Sequence, residues 1–245
     1  MLFKKKNKKS GSSKIIVGGG SNSNAVEAYN RLRDNVLYMN ADGKVKVIQI
    51  ESAVSGEGKT TVACNLAVSL GNIGNKVLVV DLDFHRPHTH RLFKVEKENG
   101  IAEYMLGNVE IEQVIKKTEY ENVEIITRGA EIYNASVILV SKKFKDLISE
   151  LRDKYDYIIL DCPPVLQVSD FIHISKISDG VLFLSHFAST TKTQVSEAIK
   201  ELRASGAEIL GSVFTMYDKK KDSTADDAGR YHYYYKSYTQ DNDKK

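Results

Sequence analysis

The stretch Ala53-Val54-Ser55-Gly56-Glu57-Gly58-Lys59-Thr60 restricts what this chain can fold into more than any other. Before it, Val45-Lys46-Val47-Ile48-Gln49-Ile50 alternates in a way that predicts a strand. After it, residues 61–70 carry Val62, Leu66 and Leu70 at helical spacing. A strand, a glycine loop and a helix together make an anion site. The glycines let successive backbone N–H groups turn toward one phosphate, and the helix start adds partial positive charge. Lys59 then reaches the terminal phosphates and Thr60 offers a hydroxyl to Mg²⁺. The pattern G-x-x-x-x-G-K-[ST] is met except that Ala53 stands at the first glycine, and the phosphate wraps on Gly56, Gly58 and Lys59.

The 245 residues suit one α/β domain with tails. A net charge of +3 with both signs abundant gives no reason to expect a nucleic-acid partner. Cys64 and Cys162 stand apart with no CxxC spacing, which fits a reducing compartment. There is no apolar run of membrane-spanning length, and Met1-Leu2-Phe3 leads into lysines, not into an apolar signal core. The expected location is therefore cytoplasmic. Lys4, Lys5, Lys6, Lys8 and Lys9 open a basic, flexible tail over residues 1–24, read as outside the core and either solvated or drawn to an anionic membrane.

An amphipathic helix is expected over 25–39, capped by Asn24, with Ala25, Ala28, Leu32, Val36 and Met39 on its apolar face. Val77-Leu78-Val79-Val80 reads as a strand buried on both faces, and it ends at Asp81 with Asp83 just beyond. Acids at a strand's carboxyl end, beside a bound polyphosphate, call for a cation such as Mg²⁺, although acids are also common in such loops. His85, His88 and His90 lack the partners of a metal cage and read as a polar loop. Short helices are expected over 100–117, a strand at 123–127, and one long helix over 136–155.

The run Tyr155-Asp156-Tyr157-Ile158-Ile159-Leu160-Asp161 gives a second strand ending in an acid, stopped by Cys162-Pro163-Pro164. This is the Walker B shape, able to hold a water on Mg²⁺. Strands at 180–185 and 208–214 flank a helix at 193–205. The alternation predicts a doubly wound, mostly parallel sheet of the P-loop NTPase kind, with the core spanning 25–218. Residues 219–245 are too poor in aliphatic side chains to bury themselves, and they hold Tyr231, Tyr233, Tyr234, Tyr235 and Tyr238. Such a tail could dock in a groove, or present hydroxyls to an active site as phosphate acceptors.

With these residues assembled, the chain resembles the bacterial tyrosine kinases (BY-kinases) of capsule and exopolysaccharide synthesis, in the CpsD-like form where the kinase is a separate polypeptide. The likeness runs through the P-loop, the acidic motif at 77–87, the Walker B at 158–164 and the tyrosine cluster. It implies a protein-tyrosine kinase that uses ATP and Mg²⁺ and autophosphorylates its tail between subunits. By the same likeness Ser55, Gly56, Glu57, Gly58, Lys59, Thr60 and Thr61 hold the nucleotide. Thr60, Asp83 and Asp161 position the metal, while Lys59, Asp81, Asp83 and Asp161 form the catalytic set, with Asp81 accepting the tyrosine proton.

Implied partners are a membrane-bound activator of the polysaccharide co-polymerase kind, other copies in a ring-like homo-oligomer, and a cognate phosphotyrosine phosphatase. The activator would recruit the chain to the inner face of the membrane. The family's E-x-x-R-x-x-R subunit contact reads here as Glu27, Asn30 and Arg33, with Arg31 nearby, so Glu27, Arg31 and Arg33 are the expected contact residues. His85 stands where the family carries arginine, and Thr215 where it carries an asparagine near the base. A partitioning or division-site ATPase is the rival reading, but its extra P-loop lysine is Val54 here. A non-catalytic ATP-binding regulator of polysaccharide assembly is the third.

Overall fold

The computed structural model describes residues 14–19 and 23–218. After a 3-10 turn at Val17–Gly19 come α1 (Asn24–Met39), β1 (Val47–Ser52), α2 (Lys59–Gly71), β2 (Val77–Asp81), α3 (Thr89–Phe93), α4 (Ile101–Leu106) and α5 (Ile111–Val114). Then follow β3 (Ile115–Lys117), β4 (Val123–Ile126), α6 (Ala135–Val140), α7 (Lys142–Lys154), β5 (Tyr157–Asp161), α8 (Phe171–Ile174), β6 (Gly180–His186), α9 (Lys192–Ala204) and β7 (Ile209–Thr215). One seven-stranded sheet results, in the order β3-β4-β2-β5-β1-β6-β7. Every pairing is parallel except β3 with β4. The doubly wound, mostly parallel sheet expected from the alternation is what forms.

Apolar strands explain the layering. β1, β2 and β5 are buried at every position, as strands covered on both faces must be. One face packs on α1 and α2 through Ile48, Ile50, Leu66, Leu70 and Ile159. The other packs on α6 and α7 through Val80, Phe144, Leu147, Leu151 and Leu160. α2 is buried on almost all sides, so each of its large apolar residues contributes about 1.5–3 kcal/mol. β1 lies between β5 and β6, where the winding reverses, so the P-loop opens at the crevice in which such sheets bind ligands.

Local expectations differ in five places. The expected tail of residues 1–24 overlaps the core at Ile15 to Val17: Ile15 and Ile16 pack against the first core cluster and Val17 is buried. Asn65, fully buried in α2, makes this possible. Its Oδ1 accepts the Ile16 N–H at 2.8 Å, and its Nδ2 donates to Lys14 O at 3.1 Å. Ser23, not Asn24, caps α1, accepting the Val26 N–H at 3.2 Å. The expected apolar face of the helix is met at Leu32, Val36 and Met39 but not at its start, where Ala25 and Ala28 are exposed, and Tyr29 and Leu37 pack inward with it.

The long helix expected over 136–155 is two. Ser141 sits in extended backbone, donates its hydroxyl to Ile138 O and accepts the Phe144 N–H, ending α6 and capping α7 at once. Residues 115–117, read as helical, form the antiparallel edge strand β3. The short helices α3 and α8 carry too few turns to show a period. The five tail tyrosines and the opening lysines lie outside the described residues.

Candidate active site

Gly56 and Gly58 take φ of 85° and 90°, the left-handed backbone that glycine alone adopts without strain. They turn the loop so that α2 starts at Lys59 with its first N–H groups facing the crevice. Ala53, at the missing glycine, is buried among Val165, Phe171 and Phe183, so a methyl there is a packing group and costs the loop nothing. Lys59 is 7% exposed and its Nζ donates to Ser52 Oγ at 3.1 Å. Ser55 and Gly56 are exposed, while Thr60 and Thr61 are half-buried at the start of α2.

β2 and β5 are neighbours in register, so Asp81 and Asp161 stand side by side, about 4.8 Å apart along the sheet. Both are fully buried. Asp81 is well supplied with donors: its Oδ2 accepts the Thr89 hydroxyl at 2.6 Å and its Oδ1 the Asp83 N–H at 3.2 Å. Burial, with the Asp83 charge adding to it, still raises the Asp81 carboxyl to about 6. Neither carboxyl oxygen of Asp161 has a hydrogen-bond partner. Burial and then the facing Asp81 push Asp161 well above the usual carboxylate range, with Thr60 and Lys59 opposing. One strand further back, burial raises Glu51 on β1 to about 8, and its Oε2 too is left without a partner.

An unpaired buried carboxylate is costly unless a cation or proton meets it. Thr60, Asp83 and Asp161 offer only oxygen donors, the set that suits Mg²⁺, and the two bare oxygens of Asp161 fit such an ion. No group of three or more His, Cys, Asp or Glu among the described residues forms a self-contained metal cage. Mg²⁺ sites of nucleotide enzymes draw part of their ligation from phosphate and water, so a partial protein set is the expected kind.

The loop after β2 closes the site from one side. Asp83 Oδ1 accepts the N–H groups of His85 and Arg86, and Arg86 Nη1 reaches Ser55 Oγ at 3.4 Å. Two supports of this loop are hidden from sequence reasoning. Arg128, 7% exposed, donates to Phe84 O at 2.8 Å, and Asp170, 2% exposed, places Oδ2 3.9 Å from His85 Nε2. A charged residue two positions after β4 was the only available sign of the first. His88 turns aside, its Nδ1 2.8 Å from Arg86 O.

The expected subunit-contact residues do not share one face. Glu27 and Arg31 pair on the exposed side at 3.2 Å, whereas the Arg33 side chain is 17% exposed and reaches Asn30, which also accepts from Ser69 on α2. Thr215 lies over the P-loop, its Oγ1 donating to Glu57 O at 2.8 Å. A cleft of 470 Å³ lined by Lys76, Lys117, Glu124 and Tyr155 opens where β2, β4 and β5 begin, away from the motif residues.

The AAA-domain family matches residues 45–210. The putative tyrosine-protein kinase CapB of Staphylococcus aureus is 29% identical over 213 residues, covering 87% of this chain and 91% of that protein. The tyrosine-protein kinase YwqD of Bacillus subtilis (strain 168) is 32% identical over 197 residues, covering 80% and 83%. Among solved structures, the chimerical protein CapA2B2 superposes with a TM-score of 0.80 at 31% identity, covering 84% of this chain and 90% of that one.

Proposed function

The chain belongs to the bacterial tyrosine-protein kinases, and we propose that within that family it phosphorylates the tyrosines of its own C-terminal tail between subunits and thereby regulates capsular or extracellular polysaccharide synthesis and export. The observation that carries this reading is the pair of buried, in-register carboxylates beside Lys59, one of them with both oxygens bare.

Lys59 and the backbone N–H groups of 56–61 bind the ATP phosphates. Asp83, Asp161 and Thr60 would hold Mg²⁺, which when bound neutralises charge on the phosphates. The acceptor tyrosine oxygen bonds to the γ-phosphorus as the bond to the β-phosphate oxygen breaks, and ADP departs. The phenolic proton passes to Asp81, whose Oδ1 accepts only the Asp83 N–H while Thr89 holds Oδ2. Positioning and electrostatics carry most of such a transfer, so this short list is chemically sufficient.

The acceptors are Tyr231, Tyr233, Tyr234, Tyr235 and Tyr238, and Glu27, Arg31 and Arg33 lie at the contact with the next copy. A membrane-bound activator of the co-polymerase kind recruits the chain from the cytoplasm and switches it on, and a phosphotyrosine phosphatase reverses the modification. The test is purified chain with Mg²⁺ and ATP, alone and with the activator's cytoplasmic segment, probed for phosphotyrosine. Lys59→Met should abolish labelling. Protein lacking residues 219–245 should still label a Lys59→Met partner that has its tail. Absence of label under every condition would leave an ATP-binding regulator instead.

A further inference from the structure

Glu57 presents an electrostatic problem that the fold resolves in an informative way. A carboxylate within a loop built to hold polyphosphate repels the ligand it surrounds. Here the side chain is turned away from the crevice and is 1% exposed. Its Oε2 accepts the Val54 N–H at 2.7 Å, closing the loop on itself. Its Oε1 accepts the His186 N–H at 3.0 Å and the Thr190 hydroxyl. Thr190 Oγ1 in turn accepts the same His186 N–H at 3.1 Å.

Three segments therefore converge on one residue: the first half of the P-loop, the turn leaving β6, and, through the Glu57 carbonyl, Thr215 at the end of β7. The turn leaving β6 is itself tightly drawn. Ser189 and Thr190 both donate backbone N–H groups to His186 O, and Ala188 takes a left-handed φ of 57°. Nothing in this arrangement waits for a ligand.

We propose that Glu57 is a positioning residue for nucleotide binding: its carboxylate is an internal strut that fixes the phosphate loop in its anion-accepting shape and locks it to the 186–190 turn, without touching the nucleotide. This rests on the nucleotide-binding reading above and adds a residue role to it. The geometry requires an acceptor on both oxygens. Gln at 57 would keep the shape but aim an amide N–H₂ at either the Val54 or the His186 N–H, and Ala would leave the Val54 N–H unpaired and the His186 N–H with Thr190 Oγ1 alone.

The test measures Mg²⁺-ATP affinity by calorimetry on the full chain for wild type, Glu57→Gln, Glu57→Ala, Thr190→Val and the Glu57→Ala/Thr190→Val double variant, with thermal melting of each without ligand. Affinity should fall on the order of tenfold or more in Glu57→Gln and Glu57→Ala. It should fall less in Thr190→Val, and the double variant should be no worse than Glu57→Ala, because the two side chains belong to one strut. Variants that melt lower but bind ATP as wild type does would show a merely structural residue and overturn the proposal, as would additive losses in the double variant. Should Glu57→Ala fail to fold, unchanged affinity in Thr190→Val together with Glu57→Gln overturns it equally. Wild type that takes up no Mg²⁺-ATP would instead overturn the nucleotide-binding reading, and the strut with it.

Discussion

At the scale of single residues, the site holds carboxylates in conditions that disfavour their charge. Asp161 has two bare oxygens beside Asp81. Asp161→Asn should therefore raise the melting temperature of the ligand-free protein while lowering phosphotyrosine formation on the order of 100-fold, the trade expected where a site is strained for its ligand. Glu51 makes a separate prediction. Its folded value of about 8 lies above the ordinary carboxyl value, so the folded state binds the extra proton and stability declines as pH rises through that window. Melting of Glu51→Gln against wild type should show a gap in favour of the variant that widens from about pH 5 to pH 8 and then stays constant. A gap independent of pH would mean that Glu51 is not titrating there. Asp81, Asp161 and Lys59 were legible because strand-end acids and a glycine-flanked lysine mark themselves. Glu57, Arg128 and Asp170 were not legible as supports, since their roles depend on partners that arrive from distant segments.

At the scale of elements, the strands were legible because the chemistry was uniform: runs such as Val77 to Val80 and Ile158 to Leu160 suit only a doubly covered sheet. Errors came where one polar side chain overrode a pattern. Ser141 splits an apolar helical period by hydrogen-bonding to Ile138 before it and Phe144 after it, and Ile115 joins the sheet edge because β4 offers it a partner. Only the start of the α1 face was misjudged, at Ala25 and Ala28, because alanine buries too little area to decide an orientation. Asn65 is the clearest case: a polar residue buried in the middle of α2, holding the 14–17 strap as a strand would. Asn65→Ala should lower stability by about 1–3 kcal/mol. Deleting residues 1–18 should cost a similar amount, and the two together little more than either, read from denaturant melts. Full additivity would mean that the strap and Asn65 act independently.

At the scale of the whole molecule, the winding of the sheet brings four separate segments to one crevice: the P-loop, the loop after β2, the end of β5 and the turn after β6. The core could be read from sequence because each of these follows a strand, whereas the order of assembly between copies could not. In the proposed assembly, five phosphotyrosines would add roughly −8 to −10 to each chain of net charge +3, enough to drive apart copies packed side by side. Native mass spectrometry should thus show a smaller assembly after full phosphorylation than before it, and an unchanged assembly would rule out charge as the release mechanism.

The strap at Lys14 to Val17 is joined to α2 at Asn65, about two turns beyond Lys59. Tension applied at this strap, whether from a fused protein, a surface tether or an optical trap, is thereby delivered to α2. Where the molecule is held decides which part of it feels the pull, and a probe attached there would sense the helix that follows the glycine loop.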